Sequence, residues 1–88
     1  MELFNIYTVK DELVNKFMQP TFIQDENEAL RLFTYQINSI DLWKANSSDY
    51  SLYKIGTYDQ TTGTVIGITP EKIIGGRSVV KNAENEKA

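Results

Sequence analysis

The alternation of apolar and polar positions divides the chain into four extended segments and one helix. Residues 3–9 carry Leu3, Phe4, Ile6, Tyr7, Thr8 and Val9, a density of β-branched and aromatic side chains that reads as a first strand. Residues 10–16 are charged and read as a connection, with room for a helical turn. Residues 17–23 read as a second extended segment. Pro20 within it has no amide hydrogen, so it belongs at an edge or at the start of a strand. The period then changes. Ala29, Leu30, Phe33, Ile37 and Ile40 fall within about a third of the helical circumference, whereas Arg31, Thr34, Tyr35 and Asn38 face away. Asp25 stands where an N-cap accepts from the amide of Asn27 or Glu28. Glu28 completes a capping-box pattern, and Glu26 and Glu28 complement the helix dipole. A helix over residues 26–40 with one apolar face follows.

Small polar residues at Asn46, Ser47, Ser48 and Asp49 predict a loop over 41–48. Trp43 lies inside it, either as a lid on the core or as an exposed contact residue. A third strand covers 50–58, a hairpin loop 59–63 with Gly63 placed for a positive φ, and a fourth strand 64–68. Leu52 and Ile55 are an odd number apart. They share a face only if a bulge intervenes; otherwise one is exposed or both faces are partly covered. Past Pro70, the Gly75–Gly76 pair and the small polar residues at the end predict a frayed tail. The expected fold is therefore a single α+β domain over residues 1–70 with a flexible polar tail over 71–88. Its architecture is a small two-layer β-β-α-β-β unit, a four-stranded antiparallel sheet with one amphipathic helix on one face. The other face is left for Tyr7, Tyr50, Tyr53 and Tyr58 to line.

Composition narrows the chemistry. The 88 residues include no cysteine and no histidine, which removes disulfides, thiolate nucleophiles, the commonest general base and the commonest transition-metal ligand. Asp59 sits near Thr61, Thr62 and Gly63, but the alternating carboxylates and terminal glutamate of a calcium loop are missing. Gly75, Gly76, Arg77 and Ser78 lack the spacing of a phosphate-binding loop. These absences predict a protein that is not an enzyme, with no cofactor and no metal. No apolar run approaches the ~20 residues that cross a bilayer, and no basic, apolar leader opens the chain, so no membrane partner is expected. Net charge is −3. Up to Pro70, five cations oppose nine carboxylates, about −4, and the remainder is about +1. That balance disfavours charge-driven nucleic-acid binding.

The sharpest candidate site is the aromatic sheet face. Proteins that bind single strands stack bases on aromatic rings across a sheet, with Lys and Arg following the backbone. Tyr7, Lys10, Tyr53, Lys54 and Tyr58 match that pattern as nucleic-acid or partner contacts. The commoner role of a strand tyrosine is to pack its ring into the core and keep its hydroxyl at the rim. An alternative partner surface combines Arg31 and Tyr35, one helical turn apart, with Trp43, residue types enriched in hot spots.

The pattern Asp49-Tyr50-x-Leu52-x-x-Ile55-Gly56-x-Tyr58-Asp59-x-x-Thr62-Gly63 resembles the signature of the small nonstructural protein of gokushovirus-type microviruses, bacteriophages with circular single-stranded DNA. Tyr7 in the first strand, Pro20 and Phe22 before the helix, and the Ala29-x-Arg31-x-Phe33 helix run agree in order. The likeness covers about residues 3–68; residues 10–19 and those after Ile68 lie outside it. The resemblance implies an early, non-virion protein of the host bacterial cytoplasm that aids the switch from duplex replication to single-stranded DNA synthesis. It implies phage or host replication proteins as partners, with single-stranded DNA as a second, weaker one, and it transfers no catalytic residue. An edge strand or uncovered face adds the expectation of a homo-oligomer. The rival expectation is a host-directed interaction module that modulates a bacterial enzyme or defence protein.

Overall fold

Strand β1 (Leu3–Asp11) is the spine of the sheet, and the computed structural model describes the chain from residue 3 to residue 81. One edge of β1 pairs antiparallel with β4 (Tyr50–Asp59), from Leu3 opposite Asp59 to Asp11 opposite Tyr50. Its other edge is shared in tandem by β2 (Lys16–Phe17) and β3 (Thr21–Ile23). Strand β5 (Thr64–Gly75) pairs with the far side of β4, giving the order β2-β1-β4-β5 with β3 also on β1. Every pairing is antiparallel, and one long helix covers one face, as the α+β expectation required.

The segment expected as one strand over 17–23 is broken into two, so the described sheet has five strands rather than four. Pro20 is the reason: with no N–H to give, it sits in the break and leads into β3. The break is stitched to β1 by Met18 N–H donating to the Val9 carbonyl at 2.8 Å and the Thr8 hydroxyl donating to the Met18 carbonyl at 2.7 Å. The charged connection before it is a tight turn. Asp11 accepts from the Leu13 amide at 3.0 Å, and Asn15 takes a φ of 58°, which its short polar side chain tolerates.

Helix α1 (Glu26–Ser39) begins as expected, with Asp25 Oδ1 accepting from Asn27 N–H at 2.9 Å. Ala29, Phe33 and Ile37, spaced four apart, are buried against Tyr7, Val9, Tyr50 and Leu52 of the sheet. Ile40 is the C-cap and lies at the surface instead of in the core. The loop expected over 41–48 is more regular than its polar residues suggested. It holds a short helix α2 (Asp41–Ala45) closed by Asn46 Nδ2 donating to the Leu42 carbonyl at 2.9 Å, then a 3-10 turn (Ser47–Asp49). Here the local bonds of Asn46 extend regular structure rather than interrupt it.

The largest departure is at the C-terminal side. Strand β5 continues through Pro70 to Gly75, and a 3-10 turn (Gly76–Ser78) follows. The frayed tail expected from residue 71 is therefore corrected: Ile73, Ile74, Val79 and Val80 pack against the core. Asn38 holds this end with both halves of its amide, Nδ2 donating to the Val79 carbonyl at 3.0 Å and Oδ1 accepting from Lys81 N–H at 2.6 Å. The rest of the expected tail, 82–88, lies outside the described residues. Gly76 is buried, and a Cβ there would run into the Ser47 carbonyl oxygen and Ile37 Cδ1.

Gly76 is therefore a packing requirement, whereas a Cβ at Gly75 would meet nothing nearer than 3.9 Å. Gly76→Ala is expected to cost about 1–3 kcal/mol, as overpacking does. A domain of this size then melts roughly 4–8 °C lower for each kcal/mol. Gly75→Ala should melt within error of the parent, and thermal unfolding followed by circular dichroism compares the two.

Candidate functional site

Cross-strand partners in an antiparallel sheet point to the same face, so the register sorts every strand residue. Tyr7, Val9, Tyr50 and Leu52 point to the helix side and form the core floor. Phe4, Ile6, Thr8 and Lys10 point the other way, together with Ser51 and Tyr53 of β4. Beyond Lys54 the register shifts: Tyr7 pairs with Lys54 and Ile6 with Gly56, so Ile55 is an extra residue. This is the bulge that the Leu52–Ile55 spacing allowed. Its effect is to turn Gly56 and Tyr58 onto the same open face as Tyr53, although Tyr53 and Tyr58 are an odd number apart. On β5 the same break takes in residues 68–70, which places Pro70 where no ladder donor is needed.

The open face carries two edge-to-face aromatic pairs. Phe17 and Tyr53 have ring centroids 5.3 Å apart at 83°, and Phe22 and Tyr58 are 5.4 Å apart at 87°. Phe17 and Phe22 remain 44% and 48% exposed, so the pairs present ring surface to solvent. Phe17 lies opposite Lys10 and Phe22 opposite Ile6, four residues apart along β1, or about 13 Å. Ile6 is buried between Phe22 and the bare Gly56 in the ladder.

The register sorts the strand carboxylates as well as the rings. By register, the strand carboxylates Asp11, Asp59 and Glu71 all fall on the helix side, beside the acidic first turn of α1. The strand cations divide evenly: Lys10 and Lys72 fall on the open face, Lys72 opposite Tyr53, whereas Lys16 and Lys54 fall on the helix side opposite Asp11 and Glu71. Lys10 Nζ lies 5.3 Å from the Phe17 centroid and 5.7 Å from that of Tyr53, within cation–π range. It also pairs with Glu12 at 3.3 Å, and the Tyr53 hydroxyl donates to Glu12 Oε2 at 3.0 Å. Lys10 is thus part of a closed cluster, while Lys72 is the other cation that the described strands place on the open face.

Of the five expected contacts, the sheet brings Lys10, Tyr53 and Tyr58 together and separates two. Tyr7 is 1% exposed, with its ring in the core and its hydroxyl accepting from Asn5 Nδ2 at 3.1 Å. Lys54 faces the helix side, opposite Glu71. Tyr50 is also a core residue, stacked on Trp43 at 4.7 Å and 16°. That stacking makes Trp43 a lid on the core, the first of the two roles its position allowed. Arg31 pairs with Glu28 at 3.3 Å, and Tyr35 stands exposed on the helix. Phe17 and Phe22 were missed from sequence; the available signal was the Lys10–Phe17 proximity that a tight turn imposes. A cavity of about 140 Å³ lies between sheet and helix, lined by residues that include Val9, Met18, Phe33, Trp43 and Leu52. Among the described residues no cluster of three His, Cys, Asp or Glu side chains is placed to hold a metal. No helix there is long and apolar enough to cross a membrane.

Burial works to raise the Glu12 carboxyl, but the bonds from the Tyr53 hydroxyl and the Lys10 ammonium outweigh it and hold Glu12 below its ordinary value. Tyr53 is pushed up, first by burial and then by its bond to Glu12 and the Glu12 charge. The Glu12 contribution to stability is thus complete above the ordinary carboxylate range and is lost as pH falls through its lowered folded value. The Tyr53 contribution is present below its unfolded value near ~10 and is lost as pH rises through the raised one. Glu12→Gln should flatten the acid limb of a stability–pH profile. It should also bring the Tyr53 phenolate midpoint down in an ultraviolet titration.

Searches of curated proteins and of solved structures find no significant match. The family described as Phage ORF5 protein matches residues 4–79, a span that takes in the sheet, the helix and the folded end that the motif likeness had left out. That match covers most of the chain and agrees with the phage character that the strand-and-turn motif suggested: the chain belongs to the Phage ORF5 protein family.

Proposed function

We propose that this phage protein is a non-enzymatic accessory factor of single-stranded DNA phage genome replication. It works in the host bacterial cytoplasm through the open sheet face. The observation that carries the reading is the open face itself: two half-exposed aromatic pairs about 13 Å apart along β1, with Lys10 and Lys72 on the strands and all three strand carboxylates on the opposite side. Unstacked bases find ring surface there, and the one carboxylate bonded to that cluster, Glu12, is already engaged by Lys10 and the Tyr53 hydroxyl. Replication proteins that present apolar side chains dock on the same rings, and single-stranded DNA binds weakly because Glu12 already engages Lys10, which leaves Lys72 as the open-face strand lysine to serve it. The resemblance to microvirus nonstructural proteins supports the replication role.

Fluorescence titration of labelled single-stranded DNA at low and moderate salt tests this reading. Binding is expected at low salt and should weaken as salt rises, by about 0.7 logarithmic units per decade for each phosphate neutralised. Phe22→Ala and Phe17→Ala are each expected to lose about 1–3 kcal/mol of binding. Lys72→Ala should make the salt slope shallower, and Tyr35→Ala on the helix should change nothing. No binding at low salt would sink direct DNA contact. A nuclease-treated pull-down from host lysate that recovers a non-replication enzyme, with capture abolished by Tyr35→Ala, would favour the host-directed module instead.

A further inference from the structure

The two edges of the sheet are built differently. At one edge β2 and β3 are two and three residues long, interrupted by Pro20 and marked by Lys16. Short strands, proline and lysine are the usual means of blunting an edge against pairing. At the other edge β5 runs for 12 residues, and no element among the described residues pairs with its free side. Its first half, residues 64–69, has no charged side chain, and Val65, Ile66 and Ile68 are 59%, 57% and 41% exposed. Protection begins only at Pro70, Glu71 and Lys72.

We propose that β5 pairs antiparallel with β5 of a second copy of this chain, about a two-fold axis through Gly67. An axis normal to the sheet keeps side chains on their own faces, and it makes the interface self-complementary. Centring on Gly67 sets Ile66 of each copy against Ile68 of the other, and Val65 against Thr69. Moving the centre to Ile68 would set Val65 against the Glu71 carboxylate and Ile66 against Pro70. Centring on Ile66 would set Ile68 against Thr64. Only the Gly67 register pairs all four isoleucines with one another. Charge agrees with this choice. Each copy carries −3, and residues 64–70 contain no ionisable group, so the copies meet without like charges opposite. Gly67 has open space around it, which lets the two backbones approach.

The pairing continues the sheet across both copies with their open faces on the same side. Two aromatic faces then form one surface, and a strand that reaches both gains effective concentration without any new contact type. The interface itself does not depend on what the open face binds.

Sedimentation equilibrium of the full chain over roughly two decades of concentration should show a reversible dimer. Ile66→Lys and Ile68→Lys, both at exposed positions, should stay folded by circular dichroism and raise the dimer dissociation constant by at least about tenfold. The register is read separately by single cysteines in this cysteine-free chain. Directly opposed residues have Cα atoms about 4.5–5.5 Å apart, within disulfide reach. Gly67→Cys should therefore give a covalent dimer with oxidised glutathione. Val65→Cys places its two thiols about 13 Å apart and should stay uncoupled. A monomer throughout, a dimer indifferent to both lysines, or equal coupling at 65 and 67 would each overturn the proposal.

Discussion

The side-chain period of a strand is two, so one extra residue exchanges the faces of everything beyond it. Ile55 is that residue in β4, inserted between the Tyr7–Lys54 and Ile6–Gly56 pairs. Before it, Leu52 reaches the helix and Tyr53 the open face. After it, Tyr58 joins Tyr53 on the open side, and Thr57 and Asp59 turn to the other. The Phe22–Tyr58 pair exists because of that exchange. Gly56 beside the bulge also has no room for a side chain, since a Cβ would meet the Ile66 carbonyl oxygen of β5.

The same register accounts for the electrostatics. Net charge describes a whole chain, whereas a ligand meets one face of it. With Asp11, Asp59 and Glu71 on the helix side and Lys10 and Lys72 on the other, an acidic protein presents a face whose strand charges are positive. The Glu12–Lys10–Tyr53 cluster at its end is satisfied internally, and it fixes the Tyr53 ring rather than leaving it mobile.

A domain of this size has little interior to spare. Its C-terminal side is therefore recruited into the core: Ile73, Ile74, Val79 and Val80 close the layer that Phe33 and Ile37 open, and Asn38 of the helix anchors the chain as it leaves. Gly76 permits this because the chain passes directly against Ser47 and Ile37. The resulting slab has principal extents of 47 × 28 × 17 Å, one helix deep over one sheet.

What the sequence determined by itself is local. The Asp25 cap, the four-residue spacing of Ala29, Phe33 and Ile37, and the positive φ of Gly63 follow from short-range geometry and were legible residue by residue. The spacing of Leu52 and Ile55 exposed a conflict and named a bulge as one remedy, without saying where the extra residue would sit. Only the tertiary structure decided which tyrosines are buried, because Tyr7 and Tyr53 belong to similar strand patterns and differ in which face their neighbours cover. It also decided that Gly76, unlike Gly75, is structural, since a glycine that permits close approach and one that permits flexibility are the same letter. The open aromatic face was legible in part: Lys10, Tyr53 and Tyr58 were expected on it, but their ring partners Phe17 and Phe22 come from two other strands that only long-range pairing brings beside them.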